Sequence, residues 1–403
     1  MYCFRKVTAD LYWVGGSDRR LERFENMFPV PKGIAYNSYL LLDEKTVLFD
    51  TVDNAIGRQF LENVEGVLSG RVLDYLIINH MEPDHCSLIA DLLLRYPDMQ
   101  IIGNAKTFPM IDQFYGMDIE GKKNIIKEGD TFSCGKHTLH FIMAPMVHWP
   151  EVMMTYDETD KVLFSADAFG TFGALGGNIF NDEIDFDRDW LDESRRYYTN
   201  IVGKYGVQVQ NVLKKICPLK IHYICSLHGP IWRNNLEYIL DKYNLWSRYE
   251  PEVKGVMIAY ASMYGNTENA ADVLAVRLAC AGVKNIAVHD ISGTHVSELI
   301  SDSFKYSHLV LASPTYNAGI YPVMANYLDD MKALNIQNRT VAVLGNGTWA
   351  PMSAKLIEAK ISEMKNMTLL TENFAIKSAL KETQLGALDE LVGKLAGEIV
   401  GEA

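Results

Sequence analysis

Leu76-Ile77-Ile78-Asn79-His80-Met81-Glu82-Pro83-Asp84-His85 is the stretch on which the first half of the chain turns. A short apolar run that gives way at once to polar residues predicts a buried strand ending in a loop. Four side chains in that loop, His80, Glu82, Asp84 and His85, can ligate a metal. Loops at strand ends turn several side chains toward one point, and a metal needs that convergence. Imidazole suits iron, zinc or copper, whereas carboxylates suit harder cations or bridge two metals. Pro83 is read as keeping the segment from continuing as a helix.

Working outward, the same pattern recurs with single residues. His148 follows the strand ending in Met143-Ala144-Pro145, Asp167 follows Val162–Ser165, and His228 follows Ile224-Cys225-Ser226 and precedes Gly229-Pro230. Each alone would be an ordinary surface or hydrogen-bonding residue. Together they repeat one arrangement, an apolar strand with a ligand at its end. Further strands are predicted at Tyr36–Leu42, Thr46–Asp50, Gln100–Gly103, His137–Met143 and Val152–Tyr156. Helical periodicity falls at Ile56–Leu68, Ser87–Tyr96, Trp190–Ile216 and Leu236–Tyr249. Strands and helices in this order predict a layered sandwich.

Glu250-Pro251-Glu252 interrupts the helical pattern and marks a seam, dividing the chain into residues 1–250 and 251–403. Beyond it, strand and helix alternate: strand Val256–Ala261, helix Thr267–Ala281, strand Asn285–His289, strand Leu309–Ala312, helix Pro322–Ala333, strand Val341–Leu344, helix Ala354–Lys365. Leu369–Ala375 then precedes a closing helix. Short apolar strands in repeated βα units predict a parallel, doubly wound sheet. Ligands of such sheets bind at the carboxyl ends of the strands. Three loops stand there. Ser262-Met263-Tyr264-Gly265-Asn266-Thr267 offers hydroxyls and backbone N–H groups at a helix N-terminus, an anion site. Pro314-Thr315-Tyr316-Asn317-Ala318-Gly319 and Gly345-Asn346-Gly347-Thr348-Trp349 supply small residues for close approach to a ring, with Tyr316 and Trp349 to flank it. No GxGxxG and no Walker lysine is present, which disfavours dinucleotides and ATP.

The chain has 403 residues, of which 48% are apolar and 22% charged, enough for two large cores. Lys plus Arg number 38 and Asp plus Glu 51, a net charge of −13, which argues against nucleic acid or an anionic membrane as main partner. Six cysteines without a CxxC pair exclude a disulfide framework and a rubredoxin-type iron site within these residues. No apolar run approaches the ~20 residues of a membrane span, and Met1–Val14 lacks a signal-peptide core, so a cytoplasmic protein is expected. His137, His140, His222, His289, His295 and His308 are read as structural or surface residues, and Cys86 as a small packing residue.

The first-half motif resembles the metallo-β-lactamase superfamily, with Glu82 where its hydrolases carry a histidine. The three later loops resemble flavodoxin. Their fusion resembles the flavodiiron proteins over essentially the full chain. That resemblance implies an αββα sandwich followed by a flavodoxin-like doubly wound sheet, a non-haem pair of irons and FMN. It implies His80, Glu82 and His148 as ligands of one iron, Asp84, His85 and His228 of the other, and Asp167 as the bridge. It implies Ser262, Met263, Tyr264, Gly265, Asn266 and Thr267 around the FMN phosphate, and Pro314, Thr315, Tyr316, Asn317, Gly319, Gly345, Asn346, Gly347, Thr348 and Trp349 around its ring. The implied activity is reduction of dioxygen to water, nitric oxide to nitrous oxide, or both. The implied assembly is a head-to-tail homodimer or a dimer of dimers, with Trp349 at the junction between flavin and metals. Electrons would come from a separate donor such as a rubredoxin or an NAD(P)H:flavin or rubredoxin oxidoreductase. Tyr197 or Tyr198 would supply a hydrogen bond or proton beside the metals. The family often carries a histidine near Glu22 that approaches the metals, and here none is present. A zinc hydrolase with an appended flavodoxin, and a non-catalytic electron carrier, are the competing expectations. Glu82 argues against the first and the complete ligand set against the second.

Overall fold

The computed structural model describes residues 1–370 and 374–401, and the chain divides into two compact units, Met1–Asn244 and Leu245–Ala403. In the first unit, two sheets face each other. One runs Arg5–Lys6, Leu11–Trp13, Tyr39–Leu42, Thr46–Phe49, Tyr75–Ile77, Gln100–Asn104, Lys123–Ile126. Its first three pairings are antiparallel and its last three parallel. The other runs Thr131–Ser133, Thr138–Met143, Met153–Asp157, Val162–Phe164, Tyr223–Cys225, with only the last pairing parallel. Their inner faces make one core, in which Tyr39, Leu41, Val47, Phe49, Ile77 and Ile102 of one sheet lie buried with Leu139, Phe141, Met153, Val162 and Phe164 of the other. Phe49 and Phe164 stack across it at 3.7 Å and 9°.

The helices bury one stripe each. Gly57–Leu68 turns Phe60, Val64, Val67 and Leu68 inward, a spacing of four, then three and four, as an amphipathic helix requires. Thr107–Tyr115 buries Phe108 and Ile111 and stops at Gly116 in the left-handed conformation. The long pattern predicted over Trp190–Ile216 is not one helix. It breaks into Leu191–Tyr197, a widened π turn Tyr198–Val202, a 3-10 turn Gly203–Tyr205 and a helix Gly206–Ile216. Gly203 and Gly206 weaken regular helix there, and π turns are frequent where side chains serve a site.

The second unit is a parallel sheet in the order Ile286–Asp290, Val253–Tyr260, Tyr306–Tyr316, Arg339–Asn346, Met367–Leu369, with Phe374–Ile376 also paired to Arg339–Asn346. Numbered along the chain, that is 2-1-3-4-5, the doubly wound order of flavodoxin-type sheets. Of the predicted segment Leu369–Ala375, residues 371–373 lie outside the described residues. Helix Val296–Lys305 is not among the predicted elements, although Val296, Leu299, Ile300 and Phe304 recur at helical spacing and Ser297, Ser301 and Ser303 are buried beside them. No helix among the described residues is long and apolar enough to cross a membrane.

Candidate metal centre and flavin cleft

The loop after Tyr75–Ile77 is held by Asp50, itself fully buried with positive φ. Its carboxylate accepts Asn79 N at 2.7 Å, Asn79 Nδ2 at 2.7 Å and His80 N at 3.1 Å. Burial pushes the Asp50 carboxyl up to about 6, with the Asn79 amide opposing it. Downstream, Thr51 N donates to His85 O at 2.7 Å. Contrary to the expectation that Pro83 bars a helix, one helical turn begins there, Pro83–Cys86. Proline is tolerated at the first helical position, where no intrahelical partner exists for an N–H. That turn sets Asp84 and His85 side by side. His228 is turned inward by Gly229, whose φ is +74° and whose Cβ, were there one, would lie 2.2 Å from Thr171 Cγ2. His228 Nδ1 donates to Ala35 O at 2.8 Å, leaving Nε2 free to face the centre.

The seven predicted ligands converge into two groups. In the first, His148 Nε2 lies 3.0 Å from Glu82 Oε2 and 3.0 Å from Asp167 Oδ2, and His80 Nε2 lies 3.2 and 3.5 Å from the same oxygens. In the second, His85 Nε2 lies 3.3 Å from Asp84 Oδ2 and 3.1 Å from Asp167 Oδ1, and His228 Nε2 lies 3.3 and 3.7 Å from them. Each group thus offers two imidazole nitrogens and a carboxylate oxygen, and Asp167 gives one oxygen to each. All seven residues are buried.

This donor set fits a pair of cations. Both oxygens of Asp84, both ring nitrogens of His85, Asp167 Oδ1 and His228 Nε2 are buried without any hydrogen-bond partner. Orphaned buried polar atoms are costly and rare, so a cluster of them points to a ligand. Burial disfavours charge on Asp167, yet His85 and His80 hold its carboxyl well below the usual range. Burial likewise opposes the His80 cation, and Asp167, Glu151 and Glu82 outweigh it, raising its pKa. Protons drawn onto these rings occupy the place a cation would take. A third His/Asp group, His137, Asp157 and Asp160, is different. There both ring nitrogens already meet carboxylates, Nδ1 at 2.8 Å from Asp157 and Nε2 at 3.3 Å from Asp10.

Tyr197 is fully buried, 5.5 Å from His228 between ring centroids, and its hydroxyl has no partner. Tyr198 instead packs edge-on against Tyr243 at 4.9 Å. Two residues beside the candidate ligands went unread in the sequence. Glu22, the position singled out there, is exposed, and its carbonyl takes the Val30 N–H. Glu25 faces the site instead, from the turn between the short strands Arg23–Phe24 and Phe28–Pro29. Although one side is open to solvent, lost hydration and then the charge of Glu82 push its carboxyl up to about 8. Phe24, before it, packs edge-on to His228 at 5.4 Å. Glu151 is the second, bound to His80 Nδ1.

In the second unit, a cleft of about 390 Å³ opens at the N-terminus of helix Asn266–Cys280. Its lining joins all three predicted loops through Ser262, Met263, Tyr264, Asn266, Thr267, Pro314, Thr315, Asn317, Asn346, Gly347, Thr348 and Trp349, and adds Ala318, Ala350 and Ser378. Gly265, Tyr316, Gly319 and Gly345 are not in that lining. Gly265 is the helix N-cap, with φ +84°, and its N–H donates to Ser262 Oγ at 3.1 Å. Tyr316 and Gly319 pair with each other across a turn through Asn317 and Ala318, both at positive φ. Gly345 lies within a strand. None of the lining residues is charged, although Glu268 stands in the first turn of the helix, and the backbone N–H groups and hydroxyls at this helix N-terminus fit a phosphate. Asn346 ties the loops together, its Nδ2 donating to Thr267 Oγ1 at 3.2 Å and Ser378 O at 2.9 Å. Tyr264 and Trp349 stand 90% and 89% exposed at the rim, uncovered by anything in their own unit.

With this geometry, the class is a two-domain oxidoreductase pairing a lactamase-fold metal centre with a flavodoxin. A profile described as ODP family beta lactamase matches residues 34–229, and one described as Flavodoxin matches residues 258–394. The anaerobic nitric oxide reductase flavorubredoxin of Escherichia coli is 30% identical over 362 residues, 89% of this chain and 75% of that one. The rubredoxin oxygen:oxidoreductase of Desulfovibrio gigas superposes with a TM-score of 0.90 at 28% identity, covering 98% of each chain. The flavodiiron protein of Giardia intestinalis has the same fold, with a TM-score of 0.90 at 24% identity over 98% of this chain and 97% of that one. The chain belongs to the flavodiiron proteins, whose cofactors are FMN and a non-haem pair of irons.

Proposed function

We propose that this chain reduces dioxygen to water, nitric oxide to nitrous oxide, or both, with FMN as the electron relay and a diiron pair as the reacting centre. The observation that carries the reading is Asp167, which gives one carboxylate oxygen to each of two matched donor groups. The second is Glu82, a carboxylate where lactamase-fold hydrolases place an imidazole, which suits iron better than hydrolytic zinc. When bound, the flavin passes electrons singly and the irons supply the redox chemistry on the bound gas.

The chain's own residues do the rest. His80, Glu82 and His148 would hold one iron, Asp84, His85 and His228 the other, and Asp167 would fix their separation. Tyr197 would offer a proton or hydrogen bond beside His228, from a hydroxyl that nothing else occupies. Thr267, Asn266 and the Ser262 loop would take the flavin phosphate, and the Thr315 and Asn346 loops its ring. Trp349 would cover the ring edge where electrons leave. A head-to-tail homodimer, or a dimer of such dimers, is part of the reading, because Trp349 and Tyr264 are large aromatic surface awaiting a cover. So is a cytoplasmic location. A separate rubredoxin, or an NAD(P)H:flavin or rubredoxin oxidoreductase, would donate electrons; the name of the Desulfovibrio relative points to rubredoxin for that protein.

The test is anaerobic reduction followed by parallel O2 and NO consumption assays on protein whose metals have been quantified. Two irons and one FMN per chain, with consumption of either gas, are expected. Zinc in both positions, with thioester or phosphodiester hydrolysis and no gas consumption, would replace this reading with the hydrolase.

A further inference from the structure

Glu151 lies on the same connection as His148, between strands Thr138–Met143 and Met153–Asp157. Its side chain is 1% exposed. Oε1 stands 2.8 Å from His80 Nδ1 and also accepts the Met81 N–H at 2.8 Å. Asn104 Nδ2 holds the Glu151 carbonyl, so its backbone is pinned as well. A carboxylate is an acceptor only, so the 2.8 Å contact puts the proton on Nδ1. Nε2 is then the nitrogen that faces Glu82 and Asp167 at the centre of the first donor group, where its lone pair would serve a cation once the proton there is displaced. Trp149 closes the flank, its ring edge-on to His80 at 5.3 Å and 88°.

The second donor group has no such backing. His228 Nδ1 donates to a neutral carbonyl, Ala35 O, and His85 Nδ1 has no partner at all. A carboxylate behind an imidazole fixes its tautomer and makes it a stronger electron donor to the metal. A backbone carbonyl fixes orientation but adds no charge.

We infer that Glu151 is a positioning residue that orients His80 and loads negative charge onto one iron only, so that the two irons of the pair are electronically unequal. The inference rests on the diiron reading and deepens it. The more electron-rich position is the one at His80, Glu82 and His148, which is the harder of the two to reduce.

Glu151→Gln separates charge from orientation, because the amide oxygen can still accept from Nδ1. Glu151→Ala removes both. The full chain, reconstituted with 57Fe, is examined by Mössbauer spectroscopy and by redox titration, and iron affinity is measured by competition with a chelator. In Glu151→Gln, two irons are expected to remain, with one quadrupole doublet altered, the other unchanged, and the potential of the altered iron raised. In Glu151→Ala, affinity for one iron is expected to fall by roughly 10- to 100-fold while the second stays bound. Unchanged doublets and potentials in Glu151→Gln would overturn the inference, as would equal weakening of both irons in Glu151→Ala. Should Glu151→Ala fail to fold, the Gln variant decides alone. A wild-type chain that takes up no iron pair sinks the diiron reading and this inference with it, whereas a normal wild type beside an unchanged Gln variant sinks only this one.

Discussion

Asp167 and Asp84 look alike in sequence, each a lone aspartate near a strand end or in a polar loop, but their places in the site differ. Asp167 serves both donor groups and Asp84 only the second. Asp167→Ala is therefore expected to lose both irons, whereas Asp84→Ala loses chiefly the one at His85 and His228. Iron quantification with Mössbauer spectra checks this, and equal loss in both variants would contradict it. His137, in the separate group with Asp157 and Asp160, carries a pH prediction. Burial lowers its pKa, but the hydrogen bond to Asp157, with the charges of Asp157 and Asp160 and the contact to Asp10, raises it on balance. Lys136 on Asp10, and Asp43 on the His137 N–H, complete its surroundings. A raised folded pKa means the stabilisation is full below the unfolded value of about 6.5 and is lost as pH rises through the folded value. His137→Gln should thus cost roughly 1.5–3 kcal/mol near pH 6, the worth of a hydrogen bond to a charged group. The cost should shrink toward pH 9, and denaturant melts at the two pH values test it. The convergence of the seven candidate ligands was legible because each follows an apolar run. Glu25 and Ser378 were not, because a polar residue in a turn looks the same whether it faces solvent or a site.

At the scale of elements, strands are what bring the ligands together. Tyr75–Ile77, Val162–Phe164 and Tyr223–Cys225 all end at the same edge of the sandwich, so residues 80–85, 167 and 228 meet although they are far apart in sequence. The strand runs and βα alternation were readable from apolar period. The break at Tyr198–Val202 was not, because the helical period runs on through it and the only local signs, β-branched Thr199, Ile201 and Val202 followed by Gly203 and Gly206, weaken a helix without fixing where it widens. In the second unit, Arg339 does for a linker what capping does for a helix. It is buried and, among the described residues, pairs with no carboxylate. Nε donates to Ser303 O and Nη2 to Phe304 O, and Nη1 is shared among the carbonyls of Tyr249, Gln337 and Asn338, all at 2.6–3.1 Å. Burial pulls its pKa down to about 9. Arg339→Met would strip donors from several buried carbonyls, and one such orphan alone costs about 1–3 kcal/mol. A loss of about 3 kcal/mol or more is expected, with FMN released at lower denaturant. Lysine should rescue it poorly, since three donors on a point charge cannot replace a planar fork of five. A Met variant as stable as wild type would show the carbonyls find other partners.

At the scale of the whole molecule, the proposed homodimer makes a statement about which flavin serves which metal pair. Two variants isolate the halves: Asp167→Ala, without iron, and Asn346→Ala combined with Thr267→Ala, which unties the flavin loops and should not retain FMN. Each alone is inactive under any wiring. Mixed in equal amounts and allowed to exchange subunits, half of the dimers are mixed. If electrons pass from the flavin of one subunit to the metals of the other, each mixed dimer has one complete pair of its two, and activity returns to about one quarter of wild type by mass action. If electrons stay within a subunit, no chain holds both cofactors and nothing returns. Gas consumption measured against time after mixing reads the exchange directly, and its rate should fall as the dimer is made tighter. Recovery without any dimer in solution would point to diffusion between free subunits instead, and a steep dependence on total protein concentration would expose it.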